Sequence, residues 1–347
     1  MRFYTQQHRY SCGVDLHARS MYVCILDQAG NTLVHCNLKA GPEGFLKILA
    51  PYREDVVVAV ECIFTWYWLA DLCARERIPF VLGHALYMKA IHGGKVKNDR
   101  VDAHKIAALL RSGMIPQAYV YPPEMRGTRD LLRRRTYLAR KRGDLLAHVQ
   151  NTNSQCNLPE FGRKIAYKIN REGVAAQFDD PSIRRSIELD LELIGHYDRL
   201  LGTLEMDILR TARLHAPNTL HLLRSVYGIG RILSLTILYE IHDIHRFPRV
   251  QDFVSYARLV KCARESAGKR SGSSGKKIGN VHLKWAFSEA AVLFLRGNPE
   301  GLKYKQRLEK KHGKSKALSI LAHKLGRTVY YMLQREKAFD MNKFLAA

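Results

Sequence analysis

The sequence predicts a mixed α/β domain followed by an all-helical region, on three observations. Short apolar runs alternate with helix-like stretches over the first third of the chain. From there to the end, apolar residues recur at helical spacing. The 347 residues, 46% of them hydrophobic, are too many for one ordinary core and apolar enough for two or three.

In order along the chain, Ser11 to Leu16, Met21 to Asp27 and Thr32 to Leu38 read as strands of an antiparallel meander, with a turn at Ala29-Gly30-Asn31. A helix over Pro42 to Tyr52 follows, and then Val56 to Val60, apolar on both faces as a covered parallel strand should be. Next come an aromatic-rich helix (Trp66 to Arg77), a strand (Pro79 to Gly83) and a helix starting near Asp102 and ending at Ser112. Three antiparallel strands followed by alternating helices and strands is the order of an RNase H-like domain, one of several mixed α/β folds with that order. From Glu124 the composition turns basic: Met125 to Arg142 holds eight Lys/Arg and one acid, Asp130, along an apolar helical stripe. A polar stretch, Asn151 to Asp180, leads into a helix with Ile187, Leu191, Ile194, Tyr197, Leu201, Leu204 and Ile208 in a coiled-coil-like seam. That seam fits a helical hairpin, a dimer contact or an ordinary packed helix pair. Leu222 to Leu238 reads as helix, turn (Gly228-Ile229-Gly230), helix, the pattern of a helix-hairpin-helix whose glycines approach a phosphate, and equally of a plain helical turn. Helices at Val250 to Val260, Val281 to Arg296 and Leu302 to Lys337 complete the chain, around a basic Gly/Ser loop from Lys261 to Asn280.

Charge narrows the function. Fifty-six Lys+Arg against 32 Asp+Glu give a net charge of +24, which points to a polyanionic partner, nucleic acid first. No secretion signal is visible, and Glu61 and Asp71 interrupt the longest apolar stretch, so no membrane span is expected. The seven Cys form no C-x-x-C pair and read as reduced, buried thiols of a cytoplasmic protein, with neither a zinc site nor a disulfide frame.

Four carboxylates stand out in this basic chain. Asp15 and Glu61 close strands, where ligands of open α/β sheets bind, and Asp99 and Asp102 open a helix three residues apart. Two Mg²⁺ ions gripping a nucleic-acid phosphate would account for the cluster. Taken singly, Asp99 and Asp102 also read as helix caps. The loop Lys261 to Asn280 carries Ser266, Ser271, Ser273 and Ser274 among Arg264, Lys269, Arg270, Lys276 and Lys277. Composition ranks a solvated linker first, a phosphate clamp second and a serine nucleophile last.

Taken together and in order, several of these segments resemble a family. Gly13-Val14-Asp15-Leu16-His17, Val60-Glu61, Asn98-Asp99-Arg100-Val101-Asp102-Ala103, Tyr227-Gly228-Ile229-Gly230, Arg246-Phe247-Pro248, Ser255-Tyr256-Ala257, Glu265-Ser266-Ala267-Gly268-Lys269 and Lys277-Ile278-Gly279-Asn280 are similar to the DEDD transposases of bacterial insertion sequences. This is the "one-ten" insertion-sequence family, to which the Piv-type DNA invertases are similar.

The resemblance implies an RNase H-like, Holliday-junction-resolvase-like domain at 1–122, a basic helical and coiled-coil region at 123–215, and a helical transposase domain with the helix-hairpin-helix at 216–347. It implies Asp15, Glu61, Asp99 and Asp102 as ligands of Mg²⁺ or Mn²⁺ and Ser266 as the nucleophile. The chain has Ser266-Ala267-Gly268 where the family usually has Ser-Gly-Gly, which keeps Ser271 as the fallback. It further implies donor and target DNA, a structured guide RNA encoded by the element, and a dimer or tetramer. Arg126, Arg129, Arg133, Arg134, Arg135, Arg140, Lys141 and Arg142 are the expected nucleic-acid contacts, with Gly228, Gly230 and the five basic residues of the serine loop. The expected function is therefore an RNA-guided DNA recombinase that moves its own element. The alternatives are a metal-dependent junction nuclease, a Piv-like invertase and an architectural nucleic-acid-binding protein.

Overall fold

A computed structural model describes residues 2–91, 98–261, 265–266, 268–270 and 278–346. The chain divides into two compact units, Met1–Pro123 and Glu124–Ala347.

In the first unit the three apolar runs form β1 (Tyr10–Leu16), β2 (Ser20–Asp27) and β3 (Thr32–Lys39). Asp27 closes the second turn by accepting from the Asn31 N–H and side-chain amide, both at 2.8 Å. Next come α1 (Pro42–Leu49), β4 (Val56–Glu61), α2 (Tyr67–Arg75), β5 (Phe80–Gly83), α3 (Ala85–Ile91) and α4 (Asp99–Arg111). The five strands make one sheet in the order β3-β2-β1-β4-β5, antiparallel across β1–β2–β3 and parallel across β1–β4–β5, consistent with an RNase H-like fold.

Alternation along β1 sorts its side chains to two faces. Cys12, Val14 and Leu16 pack with Phe45, Leu49, Leu69 and Cys73 of α1 and α2. Gly13 faces α4, so close that an added Cβ would lie 2.3 Å from the Ala107 nitrogen and 2.4 Å from the Ala103 carbonyl oxygen. The missing side chain is what lets α4 rest directly on the central strand. On the same side Val57 and Ala59 of β4 meet Ile106, Leu109 and Leu110.

The second unit is helical. It opens with the long α5 (Pro123–Gln155) and α6 (Pro181–His215), followed by α7 (Pro217–Arg224), α8 (Arg231–Ile241) and α9 (Val250–Tyr256). Two two-residue strands, β6 (Glu265–Ser266) and β7 (Lys269–Arg270), pair antiparallel within the serine loop. They are followed by α10 (Val281–Leu293), α11 (Pro299–His312), α12 (Lys314–Arg335) and α13 (Met341–Ala346). The single helix expected over Leu302 to Lys337 is thus two, parted at Gly313. The polar stretch before α6 is also more than a connection: Ile165, Val174 and Phe178 bury themselves against Val149 of α5 and Ile187 and Ile194 of α6. The α6 seam is therefore covered by the same chain, while Leu189, Leu193 and Leu200 on its other side stay exposed.

No helix among the described residues is long and apolar enough to cross a membrane. Cys12, Cys24 and Cys73 are buried free thiols as expected, but Cys36 and Cys156 are only half-buried and Cys62 is exposed.

Candidate active site

Each acid arrives at the site by a local rule. Asp15 follows Gly13 by two residues, so it points to the α4 side, just beyond the close approach. On β4 the same alternation from Val57 and Ala59 carries Glu61, the last residue of the strand, to that side, one position beyond the pair Val14 and Val60. Adjacent strands are about 4.8 Å apart.

Helix α4 supplies the other two acids. Ala103 and Ala107 are the residues pressed on Gly13, and Asp99 precedes Ala103 by four, on the same helical row. Neither Asp99 nor Asp102 caps the helix. That work is done by Asn98, whose side chain accepts from the Val101 N–H at 2.8 Å. The expected helix start at Asp102 is therefore corrected to Asp99. Both acids stand in the first turn, with carboxylates free for other partners and favoured by the positive end of the helix.

His17 joins the two halves. Its Nε2 lies 3.4 Å from Asp15 Oδ2 and 3.3 Å from Asp99 Oδ1. Ligand atoms of Asp15, His17 and Asp99 all fall within 4.8 Å of one another, a spacing that suits one divalent ion. Burial, first of all, pushes the Asp15 carboxyl above the ordinary carboxylate value; His17 opposes the push and Asp99 and Asp102 add to it. The influence of Asp102 marks it as a near neighbour, although its own contact is Lys105 Nζ at 3.5 Å. Hard carboxylate oxygens that raise one another's proton affinity form a donor set suited to Mg²⁺ or Mn²⁺. His17 was not among the residues singled out by sequence reasoning; its signal was its place two residues after Asp15.

Residues 12–156, which contain all four acids, match the model of the DEDD-type IS110 transposases, and residues 220–306, which contain Ser266, match that of the transposase IS116/IS110/IS902 family. The chain belongs to the IS110/IS1111 family of transposases. It is 22% identical over 339 residues to the transposase for insertion sequence element IS1111A of Coxiella burnetii (strain RSA 493 / Nine Mile phase I), an alignment covering 94% of this chain and 90% of that protein.

The second unit of this transposase redistributes the basic residues expected to touch nucleic acid. Arg126 and Arg129 are buried. Glu240, with only 2% of its side chain exposed, accepts from Arg129 Nε at 3.1 Å, from Arg133 Nε and Nη2 at 2.7 and 2.9 Å, and from Asn280 Nδ2 at 2.7 Å. Burial would raise the Glu240 pKa, but hydrogen bonds and charge from Arg133 and Arg129, with Asn280, overcome it and hold the group at about 2. Arg135 pairs with Glu205 at 2.6 Å and Arg142 with Asp198 at 2.5 Å. Five of the eight basic side chains expected to contact nucleic acid are thus buried or engaged within the fold. Arg134, Arg140 and Lys141 remain exposed, and Arg134 and Lys141 flank the exposed Tyr137 ring at 4.9 and 5.9 Å.

The glycine turn has an internal reason. Gly228 adopts φ +85°, and a Cβ there would lie 2.5 Å from the Phe294 nitrogen, so helix packing accounts for this glycine without a phosphate. Gly230, at the N-cap of α8, has open space around it. In the serine loop Ser266 pairs with Lys269 and Glu265 with Arg270. Lys269 is exposed. Arg264, Ser271, Ser273, Ser274, Lys276 and Lys277 lie outside the described residues. Both ends of the loop are anchored: Asn280 N–H donates to the Tyr256 carbonyl at 2.6 Å and Arg258 Nε to that of Gly279 at 2.9 Å.

Proposed function

We propose that this transposase cuts and rejoins DNA through a divalent-metal site on Asp15, Glu61, Asp99 and Asp102 and a covalent serine intermediate on Ser266. The observation that carries the first part is the Asn98 cap, which leaves Asp99 to meet Asp15 across His17, with Asp102 on the same first turn. Bound there, Mg²⁺ or Mn²⁺ would neutralise a scissile phosphate and stabilise the attacking and leaving oxygens. Ser266 Oγ then attacks phosphorus: an O–P bond forms, one sugar oxygen leaves as the strand end, and the serine proton passes to a base. The phosphoserine link conserves the bond energy, so rejoining reverses the step without ATP. Lys269, with Arg264 and Arg270, would stabilise the charge developing on the phosphate.

The guide is a structured RNA, in keeping with the net charge of +24 and with the family resemblance of the sequence. Exposed Arg134, Arg140 and Lys141 around Tyr137 supply charge and a stacking ring for it. The working division is 1–122 for the acids, 123–215 for the helical linker and 216–347 for the serine, acting as a dimer or tetramer in the bacterial cytoplasm. Exposed Leu189, Leu193 and Leu200 on α6 support assembly.

Trapping on a nicked DNA substrate with Mg²⁺ tests the mechanism. The protein–DNA adduct should form in wild type and in Ser271→Ala, and vanish in Ser266→Ala and in Asp102→Asn. An adduct that survives Ser266→Ala transfers the role to Ser271. Cleavage without an adduct in any variant leaves a plain metal-dependent nuclease.

A further inference from the structure

The serine loop leaves after α9 and returns at α10, and the residues that flank it hold each other. Arg258, in left-handed backbone at φ +55°, donates from Nε to the Gly279 carbonyl at 2.9 Å, and the Asn280 N–H donates to the Tyr256 carbonyl at 2.6 Å. Gly279, at φ +90°, makes that approach possible, since a Cβ there would lie 2.6 Å from the same Tyr256 oxygen. Left-handed backbone is unfavourable for a residue other than glycine, so Arg258 keeps it only because its contacts hold it there.

Asn280 is buried, and every polar atom it has is engaged. Its Oδ1 caps α10 by accepting from the His282 and Leu283 N–H groups at 2.9 and 3.0 Å. Its Nδ2 donates to Glu240 at 2.7 Å and to the Tyr256 hydroxyl at 3.3 Å, and its carbonyl accepts from the Lys284 N–H at 3.2 Å. Capping alone does not call for this residue, because Asp and Ser cap a helix equally well. Neither carries the amide donor, and Asp would set a second carboxylate against Glu240. Glu240 is in turn bound by Arg129 and Arg133 of α5. Apolar packing would hold α5 on α8 as well as a buried ion cluster does, so stability is not what the cluster adds. What hydrogen bonds add is direction: they fix the exit of the serine loop at one place and angle against α8 and α5.

We propose that Asn280 is a positioning residue for strand transfer, its amide anchored on Glu240 so that the serine loop is held in one reactive arrangement. It acts through the loop and touches neither DNA nor metal. The role rests on the reading of the loop as the seat of the nucleophile Ser266, and the experiment lets the two fail separately.

The assay is adduct formation by the full chain on nicked DNA with Mg²⁺, in a single turnover at saturating DNA. DNA affinity is measured on the same proteins, all well below their melting temperatures. Asn280→Ser keeps a cap for α10 and loses the amide; Asn280→Asp keeps the cap and sets charge against charge. Both should bind DNA as wild type does and form the adduct on the order of 100-fold more slowly, the loss expected when a reacting group is misplaced by about 1 Å. Combining Asn280→Asp with Glu240→Gln reverses the hydrogen bond, the amide now on α8 and the carboxylate at the loop exit, and should recover most of the lost rate.

Wild-type adduct rates in folded Asn280→Ser and Asn280→Asp would overturn the proposal. So would a loss of rate matched by an equal loss of DNA affinity, which is the mark of a role in folding alone. An adduct that survives Ser266→Ala but still slows in Asn280→Ser would sink the Ser266 assignment and keep the positioning role for another serine of the loop. Where wild type cleaves without an adduct, cleavage is the rate compared: slower cleavage by the two variants supports the role, and equal cleavage overturns it.

Discussion

Gly13→Ala places one methyl group between the central strand and α4. The new Cβ would sit 2.3 Å from the Ala107 nitrogen, 2.4 Å from the Ala103 oxygen and 2.9 Å from the Ala107 Cα, where ordinary contact begins at 3.4 Å. All three atoms are helix backbone, so no rotamer relieves the clash, and α4 must lift by about 1 Å. Overpacking of this kind costs about 1 to 3 kcal/mol. For a unit of this size the melting temperature should fall by roughly 3 to 15 °C. The effect on function is larger than the effect on stability, because Asp99 lies one turn before Ala103 on the row that moves. A shift of about 1 Å in catalytic groups can cost on the order of 100-fold in rate. The assay is Mg²⁺-dependent cleavage of a donor-end DNA well below the variant's melting temperature, with Mn²⁺ binding by calorimetry as the companion measurement. Expected are a folded protein, weakened metal binding and cleavage down on the order of 100-fold. Wild-type cleavage and metal affinity in folded Gly13→Ala would refute the claim that this contact positions the acids.

Two further outcomes follow from the second unit. Glu240, held at about 2 against an ordinary 4.5, contributes stability that is present above its unfolded value and lost as pH falls toward 2. Glu240→Gln should therefore cost roughly 3 kcal/mol at pH 7, and chemical denaturation of the two proteins should converge as the pH is lowered through that window; a pH-independent gap would show that packing, and not the charge, is responsible. Replacing exposed Arg134, Arg140 and Lys141 with Ala should flatten the log–log salt dependence of RNA binding by about 2 to 3 with the melting temperature unchanged, and an unaltered slope would leave them as merely solvated charges.

The strands of the first unit were legible because their apolar runs are short and punctuated by a clear turn, and because Val56 to Val60 is apolar on both faces as a covered strand should be. Ala85–Ile91 went unseen because a helix of 7 residues shows barely two turns of periodicity. In the Asn151 to Asp180 stretch, Ile165, Val174 and Phe178 follow no regular period, so their shared core with α5 and α6 had no signature. The four acids were visible by position, whereas His17 was not, since a lone histidine after a strand announces nothing until Asp99 is seen beside it. The arginines of α5 show the opposite failure. Local composition made them look like contacts for nucleic acid, yet the partner of Arg129 is Glu240, 111 positions further on, and only tertiary folding reveals it.

The same distinction explains how a chain of charge +24 tolerates a knot of carboxylates. Burial first, and then each acid near Asp15, raises the cost of keeping that carboxyl ionised. The fold offsets that cost locally. Asn98 satisfies the α4 N-terminus, so the helix does not depend on Asp99 or Asp102 for its cap. Their charges still gain about 0.3 to 1 kcal/mol each from the helix end. His17 reaches both Asp15 and Asp99, and Lys105 answers Asp102. A site arranged in this way can persist without a cation while its carboxylate oxygens stay available to one. That separates it from a carboxylate buried as part of the packing, such as Glu240, whose charge is met by Arg129 and Arg133 within the second unit. One cluster gathers like charges at the end of the sheet and the other surrounds a single carboxylate with two guanidinium groups, and this difference, more than the number of acids, makes the first the candidate for metal chemistry and the second a packing contact.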